Sequence, residues 1–298
     1  MICPQVQTGK FLTVKPVYEH FVYLWIMRAI SAIFFFYVRG SIHVSVALVA
    51  LLHASAQRYA INLPWAYYCV LFLGGIAGYN AIKTMTSGHW PFRDFRGGGP
   101  AIRVLSFISA LIATVCLLFL EFKWVISLAM AALLTAIYAI PILPGFRNLR
   151  SFGMLKVVWV AAVWTMITLL IPLIKDGRMH EPYYWIVTGQ RFLWMGLLML
   201  PFEIRDAGTD PDALLTFPRR LGISRTRILG WAVTGLLVLA TVSLEAKNTP
   251  VLVSDLTAFF LTGCSIQFSS TNRGPYFAAF WVEAIPIAFW ALQMALML

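Results

Sequence analysis

The sequence predicts an all-α integral membrane protein with nine transmembrane helices. Hydrophobic residues make up 60% of the 298 positions and charged residues only 12%, far from the balance of a water-soluble domain. Nine apolar runs are each about long enough to cross a bilayer as a helix. These runs are continuous, whereas the strands of an outer-membrane barrel would alternate at every second residue.

The elements follow in order. The segment from Tyr18 to Tyr37 is apolar but carries Glu19, His20 and Arg28. It reads as an interfacial amphipathic helix that ends an N-terminal arm, residues 1–37. Spans are expected at 38–57, 63–85, 101–120, 122–141, 153–174, 183–203, 226–245, 250–269 and 276–297. No compact apolar core of a cleavable signal precedes them, so the first span is expected to direct insertion. With neither linkers nor low-complexity segments, residues 1–298 read as a single domain. The four cysteines are scattered and form no Cys-x-x-Cys pair, which argues against a zinc site or a disulfide framework.

Charge sets the orientation. One set of loops, with the N-terminal arm, holds 17 of the 23 Lys and Arg residues. By the positive-inside rule that face and the N-terminus are cytoplasmic, and the C-terminus is external. The net charge of +11 is thus a property of one membrane face, suited to anionic lipid, and implies no nucleic acid. The expected location is the cell inner membrane. Loops after the second and sixth spans are the long ones, roughly 15 to 22 residues, and long loops on a rigid scaffold tend to carry function.

The second of those loops holds the densest chemistry. Of 12 acidic residues in the chain, Glu203, Asp206, Asp210 and Asp212 fall within ten positions at the end of the sixth span. Spacings of three and four put Glu203, Asp206 and Asp210 on one helical face, where three carboxylates repel unless a cation lies between them. Asp210-Pro211 is expected to stop the helix, and its negative pole adds to the attraction for a cation. Hard oxygen ligands suit magnesium. The competing reading is a solvated helix end paired with Arg205, Arg219 and Arg220.

A divalent ion among arginines and lysines suits a phosphorylated substrate with an apolar remainder. Arg93, Arg96 and Arg150 are candidates for phosphate, beside their role in topology. Lys156, at membrane depth where the fifth span begins, is the basic residue that topology explains least. Asn80, near the inner end of the second span, is either a ligand to a metal or a phosphate-bound water, or a partner in an interhelical hydrogen bond. Arg191, Asp255 and Glu283 also lie inside spans, and similar depths suggest an ion pair between Arg191 and Asp255. His43 and His53 fall on different faces and do not resemble ligands. Most of the tryptophans read as interface belt or bundle packing.

Three segments carry a family resemblance. Glu203-Ile204-Arg205-Asp206 with Asp210, then Thr216-Phe217-Pro218-Arg219-Arg220-Leu221-Gly222, resemble the second aspartate motif and trailing signature of the UbiA superfamily of intramembrane prenyltransferases. Tyr138-Ala139-Ile140-Pro141, followed by Leu149-Arg150 and Lys156, resembles the family's segment between the fourth and fifth helices. The resemblance implies a helical bundle around a central cavity, and a magnesium-dependent transfer of a prenyl group from a polyprenyl diphosphate to a lipophilic, aromatic acceptor. It implies no obligatory protein partner.

Carried over by position, Asp206 and Asp210 hold Mg2+, with Glu203 and Asn80 as further metal ligands. Lys156 meets the diphosphate, and Arg93, Arg96, Arg150, Arg205 and Tyr138 line the substrate. The family's first motif places Asp four residues after Asn, whereas Asn80 is followed by Thr84, with Ala81 and Gly88 at the other acidic positions. That departure keeps two alternatives open: a non-catalytic relative that binds a prenyl lipid, and a UbiA-type terpene cyclase. A secondary transporter has only the helix count and the intramembrane charges in its favour.

Overall fold

A helix lies over each of the nine apolar runs, as the bilayer demands of backbone that cannot turn to water for its hydrogen bonds. The structure is a computed structural model and describes residues 17–86, 99–139, 153–208 and 214–298. Helix α1 (Val17–Arg39) meets α2 (Ile42–Arg58) at a bend of 57°. Two residues make this elbow. A Cβ on Gly40 would lie 2.6 Å from the Phe36 carbonyl oxygen, and Ser41 takes the left-handed conformation at φ 62°.

The chain continues through α3 (Trp65–Thr86), α4 (Pro100–Leu117) and α5 (Phe122–Ala139). Helix α6 (Leu155–Thr165) runs through a π-turn (Met166–Leu170) into α7 (Ile171–Lys175). Then come α8 (Pro182–Asp206), the short α9 (Phe217–Leu221), α10 (Ile223–Glu245) and α11 (Thr249–Phe268). A second π-turn (Phe277–Val282) leads into α12 (Ile285–Met297).

Among the described helices, seven are long and apolar enough to span a membrane, or eight if the bent α1–α2 pair is one span. The expected count of nine spans is not confirmed by these helices. Alone, α2 has 17 residues; α8 begins on the polar stretch Pro182 to Arg191 and closes on Glu203, Arg205 and Asp206. Multiple apolar helices nonetheless make this a multi-pass membrane protein.

The helices pack in a closed circuit: α2 on α3, α3 on α5, α5 on α6, α6 on α8, α8 on α11, α11 on α12, and α12 back on α2. Two apolar cores fill it. Leu52, Tyr67, Trp124, Leu169 and Leu173 build one, and Leu51, Trp194, Leu237, Phe259 and Phe289 the other, so α2 serves both from neighbouring faces. Outward faces are apolar as well: Phe107, Leu118, Phe122, Leu239 and Phe260 are exposed, as lipid-facing side chains should be.

Polar cross-links join the helices where lipid gives no hydrophobic gain. Trp159 Nε1 donates to the Leu134 carbonyl, Trp194 to Thr262, Trp290 to His53, and Gln293 to the Ala54 carbonyl. Tyr67 donates its hydroxyl to the Ile167 carbonyl inside the first π-turn. At the end of the bundle away from the α8 terminus, Arg58 reaches Asp255 at 2.9 Å and Glu245 at 2.9 Å, and Tyr183 donates to Glu245. The expected Arg191–Asp255 pair is therefore corrected: Arg58, closing α2, takes Asp255. Arg191 instead lies over the rings of Trp194 and Phe289.

Candidate functional site

The acid-rich end of α8 is the natural place to begin. Helix α8 ends at Asp206, so its shared face carries Glu203 and Asp206; Asp210 and Asp212 lie outside the described residues. The expected stop at Asp210-Pro211 comes four residues sooner, with Ala207 and Gly208 already in a turn. Glu203 points into the bundle. Its carboxylate is 1% exposed and accepts an ion pair from Lys156 Nζ at 2.7 Å. The longer Glu side chain at this position reaches across to the start of α6, and Lys156 is correspondingly buried. Asp206, half-buried, is gripped by its neighbour: Arg205 Nε and Nη2 donate to its two oxygens at 2.6 and 3.0 Å.

The signature after the acids folds back onto the same place. Thr216 is fully buried, Phe217–Leu221 form the single turn α9, and Gly222 ends it at φ +84°. The strand-like stretch before α9 lies against the start of α6, where the Met154 N–H donates to the Leu215 carbonyl at 3.2 Å. Gly153 permits that contact: it sits at φ +41°, and a Cβ there would be 2.1 Å from the Leu215 oxygen. The approach to Lys156, the end of α8 and the entry to α10 are thus one packed unit.

Across the circuit stands Asn80, 2% exposed. Its Oδ1 accepts from Ser41 at 2.7 Å, and its Nδ2 donates to the Gly40 carbonyl at 3.0 Å and to Ser106 Oγ at 2.9 Å. This amide therefore joins the α1–α2 elbow to α3 and α4, the interhelical alternative raised by its position. Lys83 adds to the knot, donating to the Arg39 carbonyl and to Ser41 Oγ at 2.8 Å. Thr84 Oγ1 donates to the Asn80 carbonyl.

Tyr138 is buried at the end of α5, within electrostatic reach of Tyr79, whose hydroxyl accepts from Trp164 Nε1. Arg93, Arg96 and Arg150 lie outside the described residues. One acid of this region plays no part in the sequence motifs. Glu283, just after the second π-turn, lies within electrostatic reach of Lys83, Arg205, Tyr37 and Tyr79. Its signal in the sequence is an acid inside an otherwise apolar span.

A divalent ion can be tested against these donors. Among the described residues no three His, Cys, Asp or Glu side chains converge as a metal cage would require. Magnesium needs less, since one or two carboxylates with phosphate oxygens and waters suffice. Asp206 fits that role on the α8 side. On the α3 side the donors are an engaged amide, a threonine and an ammonium group, which do not fit a second ion.

No family model matches the chain, and no curated protein matches it. Solved structures do resemble it. A UbiA homolog from Archaeoglobus fulgidus bound to GPP and Mg2+ superposes with a TM-score of 0.60 at 12% identity, covering 88% of this chain and 99% of that one. A second structure of a UbiA homolog from the same organism gives 0.59 at 13% identity, covering 88% and 98%. At such identity the likeness is one of fold, and it spans most of both chains. Together with the helical circuit and the packed unit at the end of α8, it shows that this chain has a UbiA-like fold.

Proposed function

We propose that the protein is a magnesium-dependent prenyltransferase that moves a prenyl group from a polyprenyl diphosphate to a lipophilic, aromatic acceptor within the membrane. The observation that carries this reading is the buried Lys156–Glu203 pair one turn before Asp206, at the meeting point of α6, α8 and α9. Its context is the fold shared with a UbiA homolog whose structure holds GPP and Mg2+. The whole chain, 1–298, acts as one domain, with the N-terminus and the reacting end on the cytoplasmic side of the cell inner membrane.

In this mechanism the C–O bond of the allylic diphosphate breaks, and its electron pair leaves with the diphosphate. Developing negative charge on the leaving oxygens is met by fixed positive charge, which costs no reorganisation at the moment of reaction. Lys156, held by Glu203, supplies one such charge, and Arg205 and, as the family resemblance implies, Arg93, Arg96 and Arg150 supply others. Asp206 and Asp210 hold the magnesium ion, which when bound neutralises phosphate charge. Lys83 provides an ammonium group on the α3 side, where Thr84 replaces the acid of the family motif. Tyr138 lines the substrate. The acceptor then attacks the allylic carbon and sheds a proton.

Purified protein incubated with labelled geranyl diphosphate and Mg2+ should release inorganic diphosphate, and Asp206→Ala should abolish release while leaving the melting temperature within a few degrees. Unchanged release by that variant would refute the assignment. A second reading, a non-catalytic prenyl-lipid binder, is favoured by the α3 side, where Thr84 stands in place of the motif's acid and the Asn80 amide is engaged. Tight binding of geranyl diphosphate with no release would select it, and release without an acceptor would point to cyclisation.

A further inference from the structure

We infer that the cavity at the end of the bundle away from the α8 terminus binds a small monovalent anion, of halide size, between Arg191 and Arg58. Such a site lies apart from the Lys156–Glu203 pair and does not depend on prenyl transfer.

Two guanidinium groups line one small space. Arg58, Gln190, Arg191 and Asp255 supply its polar wall, and Trp194 and Phe259 are among its apolar neighbours. Arg191 sits about 13 Å along α8 from Pro182 and is only 7% exposed. Its Nη1 is buried without an acceptor among the described residues, and so is Nε of Arg58. Nor does any described carboxylate lie within ion-pair reach of Arg191. Buried polar groups are almost always satisfied, and a buried charge without a partner is more costly still. The faces of Trp194 and Phe289, 5.5 and 5.9 Å from the guanidinium carbon, attract its charge but accept none of the N–H bonds in its plane.

Asp255 borders the same space yet is already engaged. Arg58 Nη1 donates to both its oxygens, at 3.2 and 2.9 Å. Arg58 Nη2 is spent on Glu245, which also accepts from Tyr183. One cation therefore holds two carboxylates, and the second cation is left over. An acceptor placed between Arg58 Nε and Arg191 Nη1 completes both.

Size and charge narrow the guest. The cavity holds about 20 Å3, slightly more than one water needs. Neither a diphosphate nor a lipid headgroup fits. A cation would meet two guanidinium groups, and a divalent anion would be repelled by Asp255, since the charges of the four side chains already cancel. A single compact negative charge suits what remains: it accepts the two N–H bonds and gives Arg191 a counter-ion. The same cancellation keeps the binding modest.

Thermal unfolding of the detergent-purified full-length protein provides the test. As sodium chloride replaces sodium gluconate at constant ionic strength, the melting temperature should rise along a saturating curve, by about 3 °C at roughly ten times the half-saturating concentration. Sodium bromide should act alike. Arg191→Met removes the unpaired charge and leaves Arg58 with both its carboxylates, so it should melt at one temperature in all three salts. A flat wild-type response, as from a cavity that holds only water, would overturn the inference. So would a linear one, which is a general salt effect, or a saturating one that persists in Arg191→Met. If Arg191→Met does not fold, wild-type crystals grown in bromide decide: an anomalous peak within hydrogen-bond distance of Arg191 Nη1 supports the site, and no peak there removes it.

Discussion

At the scale of single residues, Asn80 shows how a motif position can change its task. Two of its three side-chain hydrogen bonds are donated by Nδ2, to the Gly40 carbonyl and Ser106 Oγ. Asn80→Asp would strengthen a metal ligand, yet here it would set a carboxylate against a carbonyl oxygen. Thermal unfolding should show a loss of about 2 kcal/mol, with no gain in magnesium-dependent diphosphate release. The sequence made Asn80 legible as a polar group at membrane depth, with both roles open. What it hid was the partner, because Ser41 lies 39 residues away and faces Asn80 only through the left-handed elbow. Lys156 and Glu203 were each legible as site residues, but not as each other's partners. Glu203 read as a metal ligand because spacing alone describes one helix and says nothing of the helix packed against it.

Among elements, the unit formed by the start of α6, the end of α8 and α9 depends on a close approach. In Gly153→Ala the new methyl would collide with the Leu215 oxygen, and its φ of +41° suits glycine far better than alanine. The cost is about 1–3 kcal/mol of strain, unless the stretch before α9 moves away. Either result should weaken geranyl diphosphate binding, measured by competition, while the far end of the bundle keeps its protection from hydrogen exchange. Apolar runs located every long helix to within a few residues, since runs of that length admit little else in lipid. The π-turns were not legible: they replace α-type bonds without changing composition, and Tyr67, which satisfies the Ile167 carbonyl, comes from another helix.

For the whole molecule, the end opposite the site is held by Arg58, which joins α2 to α10 and α11 through Glu245 and Asp255. All three side chains are at most 10% exposed. Arg58→Met leaves two carboxylates without their cation, at a cost of about 3–5 kcal/mol, and should lower the melting temperature sharply. Removing Lys123, whose pair with Glu121 is exposed, should shift it little. Depth alone paired Asp255 with Arg191; the fold chose Arg58, the residue that the circuit brings round to α11, a relation no single span contains. The closing of that circuit by α12 on α2 also sets the register of the last helix against α2. Read as a gene, the π-turn over Phe277–Val282 behaves as one surplus codon. Deleting it would rotate everything downstream by about 100°, carrying Gln293 away from the Ala54 carbonyl, so a single triplet decides whether the bundle closes.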